Sequence, residues 1–467
     1  MTYIDLWLAL PLGILCAGIL LLLLLGPLFP GRYGTTIAMV TLALALLWTL
    51  QTPPALLAPT LHLAATPLGR LFSSIFLLLA MAPLLLGHDH NGRHRIVGEE
   101  YPATILFATF GALVLASATN LLLLFLGLEA LTFAFYILTA LDRHNPLSAE
   151  AGLKYLLPGA VAAAFLSFGM ALLYAGSGTL ALSPTLSPIG PFAPILLAGW
   201  GMVILGISFK LSLAPLHLWT PDVYEGGPAP AIAFLATASK GGAFLALLML
   251  LMATNALPAL RPVLWGLSLF SMVAGTLGAV AQENIRRLLA YSAVVQMGYL
   301  LIPLLTGSRS GYIASTFYLF LYLAMVLAPF AIITTLATER PLVTLSDLRG
   351  LGFRRPLLAA VLALSLLALA GIPPTAGFMG KLILFRTALA QGEMTLAMVG
   401  IIASIVSAWY YMRVVVSLYL QDSEGETIPP TATFAEGVVF GTAALLILGL
   451  GLYPAPLLQL LQEIFTS

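Results

Sequence analysis

Residues 206–222 read GISFKLSLAPLHLWTPD, and residues 369–385 read LAGIPPTAGFMGKLILF. Each is an apolar stretch with a lysine close to proline: Lys210 precedes Pro215, and Lys381 follows a proline pair. Proline removes a backbone donor and clashes with the preceding helical turn, so each helix is expected to break. A broken backbone in a membrane is tolerated only where it lines a cavity or is covered by protein. Two interrupted helices with lysines therefore predict an internally repeated transporter, although a proline kink without function is the plainer alternative.

Composition predicts an all-α polytopic membrane protein. The chain has 467 residues, of which 60% are hydrophobic and 8% charged, with a mean hydropathy of +1.04. A soluble domain carries about 25% charged residues, and a transmembrane helix needs roughly 20 apolar residues. The first apolar segment lacks a basic start and a small-residue cleavage site, so we expect a retained span rather than a signal peptide. The apolar runs predict about fourteen transmembrane helices, at 4–28, 34–52, 70–87, 101–118, 120–141, 150–174, 195–219, 228–253, 258–279, 286–305, 311–337, 356–390, 396–420 and 433–463.

Residue counts exclude several kinds of chemistry. Cys16 is the single cysteine, so neither a disulfide framework nor a thiolate cluster is possible. The net charge of +1 gives no basic face for nucleic acid, and no dinucleotide or P-loop motif occurs. The stretch HDHNGRH, residues 88–94, has metal-capable side chains without ligand spacing, and we expect a solvated loop there. The sequence thus predicts no metal or cofactor in this chain.

Lysine usage points to titrating sites inside the membrane. Of 19 basic residues, 15 are arginine, and they lie mostly in loops or near the ends of spans. All four lysines fall within long apolar segments: Lys154, Lys210, Lys240 and Lys381. A buried lysine can release its proton, whereas arginine effectively cannot. The pattern predicts lysines that exchange protons.

Glu129 lies near the middle of the apolar stretch 120–138. An uncompensated charge at that depth costs about 2.5–3.5 kcal/mol on insertion scales. Because no arginine is comparably deep, its partner is expected to be a lysine, and Lys210 and Lys240 are both candidates. A static ion pair is the alternative, but a buried pair seldom improves stability over apolar residues. We therefore favour a proton switch made of glutamate and lysine.

Two other polar residues are weaker candidates for the same relay. Lys154 lies four residues after Glu150, where an exposed helical ion pair explains it equally well. His217 lies seven residues after Lys210 and can relay a proton. A histidine bonded to exposed backbone at the Pro215 break is the equal alternative.

Arginine asymmetry predicts the orientation. The odd-numbered loops carry eleven arginines and the even-numbered loops four, which puts the odd loops in the cytoplasm and both termini outside. The odd set is Arg32, Arg93, Arg95, Arg143, Arg286, Arg287, Arg340, Arg349, Arg354, Arg355 and Arg413, and the even set is Arg70, Arg261, Arg309 and Arg386.

Five stretches carry a resemblance to a known family. The chain resembles the antiporter-like subunits of respiratory complex I, proton-conducting membrane transporters related to Mrp antiporters. The resemblance implies two inverted five-helix repeats, at 101–253 and 258–420, after N-terminal helices in 1–100 and before a C-terminal helix in 433–467. The stretches are FLGLEALTFAFYILTAL (125–141), SAEAGLKYLLPGA (148–160), SFKLSLAPLHLWTPDVYEGGPAP (208–230), QENIRRLLAYSAVVQMGYL (282–300) and LAGIPPTAGFMGKLILF (369–385).

The resemblance also implies roles for particular residues. Glu129 matches the glutamate that pairs with the broken-helix lysine, here Lys210. Lys240 matches the central connecting lysine, and Lys381 matches the second broken-helix lysine near an exit half-channel. These four form the implied proton relay.

Within this family the chain is similar to the N type. It ends shortly after the fourteenth span, without the long lateral helix of the L type, and residues 312–334 lack the histidine and lysine usual in the L and M types. It departs from the N type at Gln296, where histidine is common.

The N-type resemblance implies a translocase subunit that drives no redox chemistry itself. NADH, FMN, iron–sulfur clusters and quinone would be handled elsewhere in the complex, and the partners would be M-type and small K-type membrane subunits together with the lipid bilayer. Two alternatives are the equivalent subunit of an Mrp antiporter or membrane-bound hydrogenase, and a scaffold that conducts nothing.

Overall fold

The predicted all-α membrane architecture is confirmed. The computed structural model describes residues 3–26, 28, 33–54, 56–58, 60–94, 96, 98–337, 344–421 and 432–466. Within these residues, 13 helices are long and apolar enough to cross a membrane. A broken pair of shorter helices, Pro356–Ala370 and Ala376–Ala390, supplies one more span, as predicted for residues 356–390.

The helices follow the predicted spans closely. They are α1 (Tyr3–Leu25), α2 (Gly34–Gln51), α3 (Pro67–Arg93), α4 (Glu100–Ser117), α5 (Leu121–Thr139), α6 (Pro146–Ser177), α7 (Ala193–Leu211), α8 (Trp219–Gly226), α9 (Ala229–Phe234), α10 (Lys240–Ala253), α11 (Leu257–Val280), α12 (Ile285–Leu304), α13 (Arg309–Leu336), α14 (Leu351–Arg354), α15 (Pro356–Ala370), α16 (Ala376–Ala390), α17 (Met394–Leu420), α18 (Phe434–Leu452) and α19 (Ala455–Ile464). A small antiparallel hairpin, β1 (Leu56–Ala58) and β2 (Leu63–Ala65), joins α2 to α3.

Both predicted helix breaks are present. The helix α7 ends at Leu211, and α8 begins at Trp219. Ser212 starts the first interruption with a φ of 60°, a conformation that is costly for a residue with a side chain. The second interruption follows Ala370, where Gly371 has a φ of 88°.

Residue contacts divide the chain into two compact units. The first unit comprises Met1–Leu211 and Thr237–Leu260. Its helices α6 and α7 approach closely because Gly169 and Gly199 face each other: a Cβ on either would lie within 3 Å of the other's carbonyl oxygen. Small residues at such crossings are typical of membrane helix pairs.

The second unit comprises Ser212–Ala236 and Arg261–Thr466. Its central helix is α13, which packs against α9, α12, α15, α16 and α18 and is buried along most of its length. The division into units does not test the predicted repeat boundaries at 101–253 and 258–420, which stay predictions.

Two local expectations differ from the structure. Residues 88–93, expected in a solvated loop, continue α3, and His90 is buried there with its ring 4.2 Å from that of His94. The last predicted span is divided, because α18 ends at Leu452, two residues before Pro454, and α19 begins after this proline, at Ala455. Proline after a helix end prevents its continuation.

Candidate functional site

The first unit brings Glu129 and Lys210 together. The Nζ atom of Lys210 lies 3.1 Å from Oε1 of Glu129 and donates a hydrogen bond of 2.7 Å to Oγ1 of Thr132. Glu129 and Thr132 are three residues apart on α5, so they present both groups from one helix face. The lysine side chain is 1% exposed and the glutamate 22%. The pair is therefore a desolvated cation beside a carboxylate that retains some access to its surroundings.

Lys240 lies beside this pair and is fully buried. It is the first residue of α10 and follows a π-helical turn at Leu235–Ser239. Its Nζ donates a hydrogen bond of 3.1 Å to the main-chain oxygen of Lys210. That oxygen belongs to the last turn of α7, where carbonyl groups lack helical partners and carry partial negative charge. The broken end of α7 thus stabilises the Lys240 cation.

Lys381 occupies a different environment in the second unit. Its Nζ donates three hydrogen bonds, of 2.8 Å to Leu369 O, 2.9 Å to Ala370 O and 2.8 Å to Ser404 Oγ. It also lies 5.3 Å from the centre of the Tyr299 ring, within the range of a cation–π contact. Within the described residues it forms no ion pair. The C-terminal end of α15 and a hydroxyl group hold this cation.

Gly371 explains why Lys381 fits against the end of α15. Gly371 has a positive φ, a backbone conformation that glycine adopts without steric cost. A Cβ at this position would lie 2.9 Å from Cδ of Lys381, so the lysine stem occupies space that a larger residue would fill.

The two weaker candidates fit their simpler interpretations. Lys154 forms a 2.6 Å ion pair with Glu150, and the two side chains are 47% and 55% exposed. His217 is buried against Tyr291, with its imidazole in contact with the Pro215 carbonyl. Their part in proton transfer stays a prediction.

Sequence reasoning missed an ionic cluster at one end of the second unit. The Nη1 atom of Arg287 contacts Asp222 at 2.6 Å and Glu225 at 2.9 Å, while Asn284 donates to Glu225 at 2.8 Å. Arg286 donates to the main-chain oxygens of Glu225 and Gly227. These contacts fix α8 against the start of α12. The motifs TPDVYEGG and QENIRR contained the signal, since opposite charges face each other across two otherwise apolar segments.

The described part of the chain contains no cluster of metal ligands. No three side chains of histidine, cysteine, aspartate or glutamate lie close enough together there to hold a metal ion.

Two interrupted membrane helices, each with a lysine at its break, define an antiporter-like membrane protein. Residues 118–407 match the family described as NADH:quinone oxidoreductase/Mrp antiporter, transmembrane, and the chain belongs to this family. The resemblance inferred from the motifs is thereby confirmed.

Individual relatives match over nearly their whole length. The chain is 52% identical to the NADH-quinone oxidoreductase subunit N of Geotalea uraniireducens (strain Rf4), covering 99% of this chain and 100% of that protein. It is 35% identical to a chain of respiratory complex I from Thermus thermophilus with bound aureothin, with a TM-score of 0.84 and coverage of 96% and 98%. A chain of the Mrp complex from Dietzia sp. DQ12-45-1b shares the fold, with a TM-score of 0.88, 20% identity and coverage of 100% and 97%.

Proposed function

We propose that this chain is the antiporter-like, proton-translocating membrane subunit of an NADH–quinone oxidoreductase. Electron transfer from NADH to quinone in other subunits is coupled here to proton movement. The buried contact between Glu129 and Lys210, with Lys240 on the adjoining helix end, carries the proposal. The full-length similarity to N subunits of NADH-quinone oxidoreductases supports it.

The chain works as one part of an enzyme complex. NADH, FMN, iron–sulfur clusters and quinone belong to other subunits, and M-type antiporter-like and small K-type subunits are its membrane neighbours. The shared fold of the Mrp chain agrees with an antiporter-like ancestry, and its low identity gives no support for the same activity in this chain. Co-purified flavin and iron–sulfur subunits would distinguish complex I from an Mrp assembly.

The proposed mechanism starts from the Glu129–Lys210 pair. A carboxylate close to a buried lysine stabilises the protonated amine. When Glu129 moves away or takes up a proton, Lys210 loses that stabilisation and releases its proton to the next acceptor. Lys240 and Lys381 are the further relay groups, and Lys154 and His217 are assigned supporting positions.

The chain spans the cell membrane many times, and we propose that both termini lie on its non-cytoplasmic side. Contacts within the second unit support an even number of spans between the tenth loop and the C-terminal end. Leu345 of the eleventh loop donates to Glu283 of the ninth, and Arg309, after the tenth loop, donates to Gln462 beyond the last span. Reporter fusions after Arg349 and after Ser467 should therefore report opposite sides, with Arg349 cytoplasmic.

Lys240 provides the test of the relay. Lys240→Arg keeps a cation but removes proton release, because arginine stays protonated. We expect it to impair proton pumping in reconstituted vesicles nearly as much as Lys240→Ala, while the complex assembles better. Full pumping by the arginine variant would show that charge alone is needed and would contradict the relay.

A further inference from the structure

Thr132 is a second side-chain acceptor for the Lys210 amine. It lies on α5, three residues after Glu129, and only 2% of it is exposed. Its Oγ1 atom lies 2.7 Å from Nζ of Lys210, whereas Oε1 of Glu129 lies 3.1 Å from the same nitrogen. The lysine amine is therefore bound by a neutral oxygen and a charged oxygen on the same face of one helix.

The Thr132 hydroxyl is fixed as an acceptor toward Lys210. Its own proton is donated to the main-chain oxygen of Leu128, at 2.6 Å, one turn earlier on α5. A threonine in a helix has two favoured χ1 rotamers, and a bond to the preceding turn holds one of them. Because a lysine ammonium has donors only, the free lone pairs of this oriented oxygen are matched to it.

Thr132 and Glu129 differ in how constant they are as partners. A carboxylate loses its charge when it takes up a proton, and its attraction for a nearby cation falls accordingly. The Glu129 side chain is also 22% exposed, so it is the partner with access to its surroundings. A threonine hydroxyl stays neutral, so the Thr132 oxygen can accept a hydrogen bond from Lys210 in either state of Glu129.

A role in helix stability does not distinguish Thr132 from other buried threonines. Thr139, two turns further along α5, donates to Phe135 O at 2.7 Å, and Thr109 on α4 donates to Ile105 O at 2.8 Å. A bond from a threonine to its own helix slightly destabilises that helix rather than stabilising it. Among the contacts of the described residues, neither of these two hydroxyl groups accepts from a lysine. The lysine contact is what is particular to Thr132.

We infer that Thr132 is a positioning residue for Lys210: its hydroxyl holds the lysine amine beside Glu129 while the charge of that carboxylate changes. The amine then stays within hydrogen-bond distance of α5 while Glu129 is protonated, and the ion pair forms again when the carboxylate ionises. Thr132 itself passes no proton, since its hydroxyl proton stays in the bond to the Leu128 carbonyl. The inference rests on the proposed proton-translocating function and adds to it a neutral anchor for the lysine.

The test removes the Thr132 hydroxyl in the intact complex. Thr132→Val keeps the branched shape of the side chain, and Thr132→Ser keeps the hydroxyl without the methyl group. Thr132→Ala completes the set, because it differs from the serine variant by the hydroxyl alone. Thr139→Val is the matched control, since it removes the same kind of bond from the same helix without removing a lysine contact. The amount of intact complex is measured first, and NADH oxidation and proton pumping are then measured in reconstituted vesicles.

We expect Thr132→Val and Thr132→Ala to pump roughly tenfold more slowly per assembled complex, because misplacing a reacting group by about 1 Å can cost roughly 100-fold in rate. Thr132→Ser should retain most of the rate, and Thr139→Val should pump normally. A merely structural role would give a different result. Both valine variants would then lower the amount of complex to a similar extent, and pumping per assembled complex would stay unchanged.

Lys210→Met separates this inference from the function on which it rests. If pumping is lost in Lys210→Met but is normal per assembled complex in Thr132→Val and Thr132→Ala, the positioning role is overturned and the proposed function stands. Equal pumping by the serine and alanine variants would overturn the role in the same way, and this comparison applies even if the valine variant fails to assemble. Normal pumping by Lys210→Met would contradict both.

Discussion

The lysines at the two helix breaks, Lys210 and Lys381, are stabilised as cations in different ways. Lys210, at the end of α7, faces the Glu129 carboxylate at 3.1 Å. Lys381 donates to two carbonyls at the end of α15 and to the Ser404 hydroxyl, and it forms no ion pair in the described part of the chain. Lys240 resembles Lys381, because it also donates to the end of a half-helix. A cation at a half-helix end occurs in both units, and a partly exposed carboxylate partner is added at Lys210.

Because of this difference, the Lys210 site can act as a switch, whereas the surroundings of Lys381 stabilise its cation to a constant extent. A carboxylate can change its protonation or move, so the stability of the Lys210 cation depends on the state of Glu129. Carbonyl groups at a helix end carry a constant partial charge. Lys381 therefore depends on groups other than a carboxylate partner for its exchange of protons.

The largest expected effect comes from separating Glu129 and Lys210. Glu129→Gln or Lys210→Met removes one partner of a buried pair, at a cost of up to about 3–5 kcal/mol. The double variant should impair assembly less than the sum of the two single effects, because the residues are in contact. Assembly is measured as the amount of intact complex, and pumping is measured in vesicles.

Pumping should stay low in the double variant, since no titrating pair remains. Additive assembly defects would indicate that the two residues are not energetic partners. Normal pumping without either residue would contradict the switch.

A smaller assembly effect is expected for Lys381→Met. The substitution leaves neutral acceptors, two carbonyls and one hydroxyl, and an unsatisfied buried polar group costs about 1–3 kcal/mol. The amount of intact complex should therefore fall less than with Lys210→Met, although pumping is lost. An assembly defect as large as that of Lys210→Met would indicate that Lys381 also depends on a carboxylate.

The smallest expected effect is that of Gly371→Ala. The positive φ disfavours alanine by about 1–2 kcal/mol, and the added Cβ displaces the Lys381 side chain. We expect a modest loss of thermal stability together with reduced pumping. Gly266→Ala in α11 is the matched control, because a Cβ there meets open space. If both variants behave alike, Gly371 does not position the lysine.

The sequence predicted the fold well because the physical signals for membrane helices are strong. Long apolar runs defined the spans, and proline next to lysine located both breaks. The depth of Glu129 restricted its partner to Lys210 or Lys240, and the structure places both lysines near that site, with Lys210 in direct contact. The end of α3 was less predictable, because histidine and asparagine at a membrane boundary are compatible with either helix or loop. The last predicted span ran across Pro454, although a proline ends a helix.

The environment of Lys381 was not predictable from the same reasoning. Its acceptors are main-chain carbonyls, which every residue carries, so no side-chain pattern identifies them.

The unequal burial of the lysines has a practical consequence for protein chemistry. Lys210, Lys240 and Lys381 are 1%, 0% and 5% exposed, whereas the Lys154 side chain on α6 is 47% exposed. An amine-reactive reagent applied to the folded chain should therefore modify Lys154 and spare the other three lysine side chains. Loss of that modification in the assembled complex would report directly that a neighbouring subunit covers α6.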